Sequence, residues 1–164
     1  MPLELPQGAT CFVDANILIY HFVDMGDISA VCSAFLARVV RSQVDAVSTT
    51  ACLADAVHRV MGVEAQERFG LVNGAVAWLK RHPECIRELS AFRDAARQIE
   101  VLALRLLPAD SRVVLEAAEL SGQYGLLTND AIIVALMRRH GVTHLVTNDN
   151  DFDRVPELTV WKPR

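Results

Sequence analysis

Short apolar segments alternate with longer helical patterns along almost the whole chain. Each segment has four or five residues, which is the usual length of a buried strand and too short for a buried helix. Strands that alternate with helices usually form a mainly parallel sheet covered on both faces. The sequence therefore predicts a three-layer α/β/α fold with a short, mainly parallel central sheet. The predicted strands are residues 9–13, 44–47, 104–107, 143–147 and 158–161.

The segments between these strands carry apolar residues at the spacing of an amphipathic helix. In the first of them, Val31, Phe35 and Val39 fall on one face. Gly141 follows the last pattern, and a glycine is the usual residue just beyond the end of a helix. The predicted helices are residues 29–42, 51–61, 64–81, 91–103, 110–124 and 129–140.

Length and composition indicate one globular domain. The chain has 164 residues, of which 52% are apolar, so it can bury a core without disulfide bonds. The long helical stretch from residue 51 to 103 contains no predicted strand. We therefore expect a single domain, residues 1–164, with a helical insertion around residues 64–103 that packs beside the sheet.

Neither a membrane span nor a disulfide framework is expected. No apolar run approaches the roughly 20 residues that cross a bilayer, and the N-terminal residues do not resemble a signal peptide. The cysteines form no Cys-x-x-Cys pair, so we favour buried free thiols in a reducing cytoplasm over a zinc or disulfide role. They are Cys11, Cys32, Cys52 and Cys85.

Four aspartates stand where predicted strands end or predicted helices begin. Asp14 and Asp149 follow the first and fourth predicted strands, and Asp55 and Asp130 lie near the starts of two predicted helices. Such positions meet along one edge of a parallel sheet. Carboxylates gathered there repel each other unless a cation lies among them, and Mg²⁺ or Mn²⁺ suits oxygen ligands.

Each aspartate, taken singly, also has an ordinary structural explanation. Asp14 and Asp149 could begin turns, Asp130 could favour the positive end of its helix, and Asp55 could be a surface acid near Arg59. The combination favours a site, because Asp55 and Asp130 are expected against apolar walls, where a carboxylate loses solvation.

The net charge of the chain neither favours nor excludes a nucleic-acid partner. It is −4, from 16 basic and 20 acidic residues. Without the four candidate aspartates the basic and acidic residues balance, so a basic path for nucleic acid would have to be local.

Four short motifs resemble those of PIN-domain ribonucleases. They occur in the same order as in that family, and the resemblance runs from about residue 10 to residue 163. The size and layout most resemble a VapC-type toxin, the toxic member of a bacterial or archaeal toxin–antitoxin pair. The motifs are Val13–Tyr20, Ser48–Asp55, Asn129–Ala135 and Val146–Phe152.

The resemblance implies Mg²⁺- or Mn²⁺-dependent hydrolysis of RNA phosphodiester bonds by a PIN-like fold. It assigns all four aspartates to catalysis and metal binding. Asp14 and Asp130 are implied as direct ligands of the metal. Asp55 and Asp149 are implied as ligands of metal-bound waters or of a second ion.

The chain departs from the family pattern in one motif and is ambiguous in another. Asp55 replaces the usual Glu of the second motif and is one methylene shorter. The fourth motif offers Asp151 and Asp153 besides Asp149. We prefer Asp149, because Thr147 stands two residues before it as in the family pattern.

Other polar residues are candidates for supporting roles. Asn16 and Thr147 are implied to orient the carboxylates from behind. Arg59, Arg138 and Arg139 are candidates for contacts with RNA phosphates, with solvated surface charge as the alternative.

The resemblance also implies partners. They are an RNA substrate, a small antitoxin protein that occludes the site, and a second copy of the chain in a homodimer. Two other functions stay open: a catalytically weakened PIN-scaffold binding protein, because of Asp55, and a DNA-directed or phosphatase-like metal hydrolase. Motifs of serine hydrolases and of phosphate-binding loops are not found.

Overall fold

A five-stranded sheet, parallel at every strand pair, forms the centre of the fold. The computed structural model describes residues 3–164. The strands lie in the order β3-β2-β1-β4-β5 across the sheet. They are β1 (Thr10–Val13), β2 (Asp45–Ser48), β3 (Arg105–Leu106), β4 (His144–Val146) and β5 (Thr159–Trp161).

The strand order changes direction at β1. From β1 the chain moves outward to β2 and β3, and then returns to place β4 on the other side of β1. Phe12 accordingly pairs with Val47 of β2 and with Leu145 of β4. Ligand crevices of open parallel sheets lie at such a switch point, beyond the carboxyl ends of the strands. Asp14 and Thr147 are the residues that directly follow β1 and β4.

Helices cover both faces of the sheet. The described residues form α1 (Ala15–Phe22), α2 (Asp27–Val40), α3 (Thr50–Phe69), α4 (Ala75–Arg81), α5 (Pro83–Ile86), α6 (Ala91–Val101), α7 (Ser111–Tyr124) and α8 (Thr128–Arg139), with a short 3₁₀ turn at Asp151–Arg154.

The two faces of the sheet bury separate cores. Phe12 of β1 points to the face that α7 and α8 cover, where it joins Ala117 and Val134. Its neighbours Cys11 and Val13 point to the opposite face, which α1 and α2 cover together with parts of α3 and α6. Side chains of a strand alternate in this way. The three-layer α/β/α prediction is therefore confirmed.

A third, smaller apolar cluster holds α3, α4, α5 and α6 together. Its buried members are Ala65, Ala75, Leu79 and Leu89. Phe69 and Trp78 pack against it, with ring centroids 5.0 Å apart. No strand occurs in residues 64–103. This cluster gives these helices a core of their own beside the sheet.

The structure corrects several predicted elements. Both residues of β3 are exposed, because β3 is a two-residue edge strand rather than a buried one. The break predicted between two helices near Gly62 is absent, and α3 continues to Gly70, whose left-handed backbone ends it. The sequence also predicted no helix at α1, where the Asp14 side chain accepts a hydrogen bond from the first helical N–H.

The cysteines are free thiols, as predicted. Three of them are buried, and Cys85 is half-buried. Burial raises the pKa of Cys11 and Cys32 to about 12, which keeps both thiols protonated at neutral pH. Within residues 3–164, no helix is both long and apolar enough to cross a membrane.

Candidate metal centre

Asp14 is buried and tightly held at the carboxyl end of β1. Its side chain is only 9% exposed. Oδ1 accepts a hydrogen bond of 2.6 Å from the Ala15 backbone N–H. Oδ2 accepts one of 2.6 Å from Asn16 Nδ2 and one of 2.7 Å from Thr147 Oγ1. Since a carboxylate oxygen has two lone pairs, Oδ1 keeps one for a further partner.

Asn16 and Thr147 join the loops that follow β1 and β4. Asn16 Nδ2 also donates to Thr147 Oγ1 at 2.9 Å, and Thr147 is fully buried. The Asn148 N–H donates to Asn16 Oδ1 at 3.2 Å, and the Asp149 N–H donates to Thr147 Oγ1 at 3.0 Å. One network therefore fixes Asp14 and the start of the segment that carries Asp149.

Three further carboxylates converge beside this network. Asp130, Asp149 and Asp151 are half-buried, and each offers an oxygen within 4.8 Å of the others. The Asp151 N–H donates to Asp149 Oδ1 at 2.8 Å, which orients Asp149. The sequence preferred Asp149 over Asp151, whereas the structure brings both to the same place. The sequence feature that could have indicated this is the spacing of two residues between Asp149 and Asp151, where the 3₁₀ turn begins.

The electrostatics link Asp14 to this group. Burial raises the pKa of Asp14, and the charges of Asp149 and Asp55 add to the rise, while the hydrogen bonds from Thr147 and Ala15 oppose it. Burial also raises the pKa of Asp130 to about 6, with further contributions from Asp14, Asp149 and Asp151. The carboxylates are thus close enough to oppose one another's ionisation, and a cation would relieve this repulsion.

Asp55 faces the same crevice from α3. The crevice has a volume of about 440 Å³, and Asp14, Asp55 and Asp130 are among its lining residues. The prediction that Asp55 lies against an apolar wall is wrong, because Asp55 is exposed although its neighbour Ala56 is buried. Its position near the start of α3, after the Thr49 cap, is as predicted.

The candidate arginines differ in their surroundings. Arg59 is exposed, one helical turn after Asp55 on α3. Arg138 and Arg139 lie at the far end of α8, about 12 Å along the helix from Asp130.

Acidic side chains bind both arginines of α8. Arg138 binds Glu157 and the Tyr124 hydroxyl, and Arg139 binds Glu116 at 2.8 Å. A contact of Arg138 or Arg139 with RNA stays a prediction.

The donor set fits a small, hard divalent cation. Its side chains supply carboxylate oxygens, which Mg²⁺ and Mn²⁺ prefer. Oxygens on opposite sides of Mg²⁺ are about 4.2 Å apart, and one oxygen from each of the three half-buried carboxylates lies within 4.8 Å of the others. Small side-chain movements, or intervening waters, would complete the coordination.

The family model of the PIN domain matches residues 11–158, which is most of the chain. The chain belongs to the PIN domain family. Among curated proteins, this PIN domain is similar to Ribonuclease VapC6 of Methanocaldococcus jannaschii, with 35% identity over 66 residues. That match covers 40% of this chain and 43% of the relative, so it spans less than half of either protein.

Two solved structures share the fold of this PIN domain. One is VapBC2 from Rickettsia felis bound to a DNA fragment from its promoter, with a TM-score of 0.57 and 17% identity over 93% of this chain and 98% of that chain. The other is a toxin–antitoxin complex from Klebsiella pneumoniae, with a TM-score of 0.56 and 16% identity over 94% and 98%. At these identities the likeness concerns the fold.

Loss of the Asp130 proton should make the metal-free protein less stable as pH rises. Its pKa is raised from the ordinary 3.8 to about 6. Between these values the folded chain holds more protons than the unfolded chain, so the free energy of unfolding decreases with pH. The stabilisation is complete below about pH 4 and lost above about pH 6.

Thermal melts of the metal-free protein between pH 4 and pH 7 check this dependence. Asp130→Asn should show a flatter profile than the wild type, because it removes this group and leaves Asp14. Superimposable profiles of the two proteins would contradict the raised pKa.

Proposed function

We propose that this PIN domain is a divalent-metal-dependent endoribonuclease and the toxin of a toxin–antitoxin pair. The observation that carries the proposal is the gathering of carboxylates from four segments beyond β1 and β4. Asp14, Asp55 and Asp130 line the crevice, and Asp149 and Asp151 lie beside Asp130. Membership of the PIN family and the similarity to Ribonuclease VapC6 support it.

We propose that Mg²⁺ or Mn²⁺ binds directly to Asp14 and Asp130. Asp149 and Asp151 would complete the donor set, and Asp55 would hold a water across the crevice. Bound there, the cation would neutralise the charge of a scissile phosphate and lower the pKa of a water.

The other site residues would fix the orientation of the carboxylates and bind the RNA. Asn16 and Thr147 would keep Asp14 Oδ2 fixed, so that the carboxylate need not reorganise when substrate binds. Arg59, one turn from Asp55, is the basic residue that we propose for a neighbouring phosphate. A protein cation at that place would hold the RNA without competing for the metal-binding oxygens.

Cleavage of labelled oligonucleotides by the purified protein tests the proposal. Single-stranded RNA and DNA of one sequence would be incubated with Mg²⁺, with Mn²⁺ or with a chelator. We expect internal cleavage of RNA that requires the metal and leaves DNA intact. Cleavage of DNA would favour the DNA-directed alternative. A protein that binds Mn²⁺ but leaves both oligonucleotides intact would favour the non-catalytic scaffold.

Lengthening Asp55 should preserve or raise the activity. Asp55→Glu restores the side chain that the family usually carries, and the exposed position leaves room for one more methylene. We expect a cleavage rate at or above that of the wild type, measured with the same RNA. Asp94→Glu, an exposed change on α6, serves as the control. A folded Asp55→Glu variant that has lost activity would show that the site requires the shorter side chain.

A second groove beside the crevice suits the expected antitoxin. It has a volume of about 640 Å³, lies between α1, α3 and the start of α4, and includes Asn16 of the carboxylate network. Its apolar lining includes Ile19 and Val63, and two of its large apolar residues are exposed, Met25 at 54% and Val76 at 36%. We propose that the antitoxin lays an apolar helix here and extends an Arg or Lys to Asp14 and Asp130.

Neutralising both aspartates should weaken this complex without abolishing it. An inserted Arg would form charge-assisted hydrogen bonds with the carboxylates, whereas the apolar contacts in the groove would persist. We expect the Kd of the complex to rise about 10-fold or more in the Asp14→Asn, Asp130→Asn double variant. Titration calorimetry with the purified antitoxin measures it. An unchanged Kd would contradict the inserted cation.

We further propose that the chain forms a homodimer and acts in the cytoplasm, as the family resemblance implies. Light scattering on the purified protein tests the homodimer. The single-domain boundaries, residues 1–164 with an insertion around residues 64–103, are also a proposal, which rests on the chain length and on the helical stretch without a predicted strand.

A further inference from the structure

Arg154 bridges two segments of the chain beside the carboxylates. Its Nη2 donates to Asp151 Oδ1 at 2.7 Å. Its Nη1 donates to the backbone oxygen of Gly125 at 2.8 Å. Gly125 ends α7 in the left-handed conformation, with φ of 66°. A guanidinium group can make both contacts at once, because its donors form a rigid fork.

The two bridged segments carry different aspartates of the cluster formed by Asp130, Asp149 and Asp151. Gly125 begins the short connection to α8, and Asp130 lies in the first turn of that helix. Asp151 opens the 3₁₀ turn, and its N–H orients Asp149. The guanidinium therefore links the segment that leads to Asp130 with the segment that carries Asp149 and Asp151.

The buried core positions the backbone of the 3₁₀ turn, but not the Asp151 carboxylate. Phe152 and Val155 are buried in the core that Ala131 and Val134 of α8 also line. The Asp151 side chain itself is half-exposed, and the Arg154 side chain is the partner that holds it. One carboxylate oxygen can bind Arg154 while the other faces a cation.

We propose that Arg154 is a positioning residue, which fixes the Asp151 carboxylate beside Asp130 and Asp149 for a divalent cation. This role rests on the proposed metal centre. A positioning role and a purely electrostatic role have opposite effects on cation affinity, because a nearby positive charge repels a divalent cation. Removing Arg154 should therefore weaken cation binding if Arg154 positions, and strengthen it if only its charge acts.

A role in stability alone also predicts a different result. The side chains of Arg154 and Asp151 are 51% and 38% exposed, and ion pairs at such positions contribute little to stability. Arg97 and Asp94 on α6 form a matched pair, with the same spacing of three residues and the same distance of 2.7 Å. Arg97→Gln therefore controls for the loss of an exposed arginine and its ion pair.

Direct titration with Mn²⁺, followed by electron paramagnetic resonance of the free ion, tests the role without any measurement of cleavage. We expect Arg154→Gln to raise the Kd for Mn²⁺ about 10-fold, the size usual for groups that orient metal ligands. Arg154→Lys should not restore it, because one ammonium cannot span both partners. Arg97→Gln should leave the Kd unchanged, and both Gln variants should melt near the wild-type temperature.

Amide hydrogen exchange of the metal-free protein gives a second readout. The amides of Gly125 and Ala131, which donate to the Ser121 and Leu127 carbonyls, should exchange faster in Arg154→Gln than in Arg97→Gln, because the bridge to Gly125 is lost. Unchanged exchange, a Kd that stays the same or falls in Arg154→Gln, or full rescue by Arg154→Lys would overturn the positioning role. A wild-type protein that binds no Mn²⁺ would instead overturn the proposed metal centre itself.

Discussion

Replacing Asp14 by Asn is expected to slow RNA cleavage at least about 100-fold, because metal-ion catalysis supplies several kcal/mol of transition-state stabilisation. Asp14 is the most buried carboxylate of the group, and three hydrogen bonds fix it. An amide at this place cannot supply the charge that attracts the cation. Single-turnover cleavage of labelled RNA at saturating Mg²⁺ measures the effect.

The loss should occur without unfolding. Burial and the neighbouring carboxylates oppose the Asp14 charge, so its removal offsets the hydrogen bonds that an amide NH₂ cannot accept. Asp14→Asn should therefore melt near the wild-type temperature in the absence of metal. Asp94→Asn, an exposed change on α6, should leave both rate and melting temperature unaltered. A folded Asp14→Asn protein that cleaves RNA at the wild-type rate would place the catalytic centre elsewhere.

Replacing Phe152 by Ala is expected to destabilise the fold by about 3–5 kcal/mol. Phe152 is fully buried in the core between the sheet and α8. Its loss removes apolar contacts and leaves a cavity under the turn that carries Asp151. For a chain of this length the melting temperature should fall by roughly 6–20 °C.

Two variants separate this effect from a general intolerance to change. Phe152→Leu keeps most of the apolar volume, so its free energy of unfolding should fall by much less. Phe92→Ala acts at a half-buried position in the small cluster around α6 and should also cost less. Denaturant unfolding of the three variants measures the differences. A Phe152→Ala protein as stable as the wild type would show that the turn is not anchored through this ring.

The strands of the sheet centre were predictable, because a strand buried on both faces reads as an uninterrupted apolar run. Both Thr10–Val13 and His144–Val146 lie within predicted strands. The strand order was not predictable, since it depends on packing between distant segments. Edge strands such as Arg105–Leu106 lack neighbours on one side, so apolar residues in them need not be buried.

Local chemistry explains which parts of the site were visible in the sequence. The predicted aspartates stood out because each lies near the end of a strand or the start of a helix. Asp151 was only an alternative to Asp149 in the fourth motif, because its position depends on a 3₁₀ turn and on a contact with Arg154. Helix α1 was also missed, since a short segment that is apolar almost throughout shows no helical period.

The position of bound Mn²⁺ in a crystal of this protein tests the central claim most directly. Anomalous scattering identifies the ion independently of its ligands. The proposed centre predicts a peak in the crevice beyond β1 and β4, about 2–2.5 Å from carboxylate oxygens of Asp14 and Asp130. It further predicts that Asp149 or Asp151 reaches the ion directly or through one water. Protein that cleaves RNA in Mn²⁺ but binds the ion away from this crevice would contradict the account.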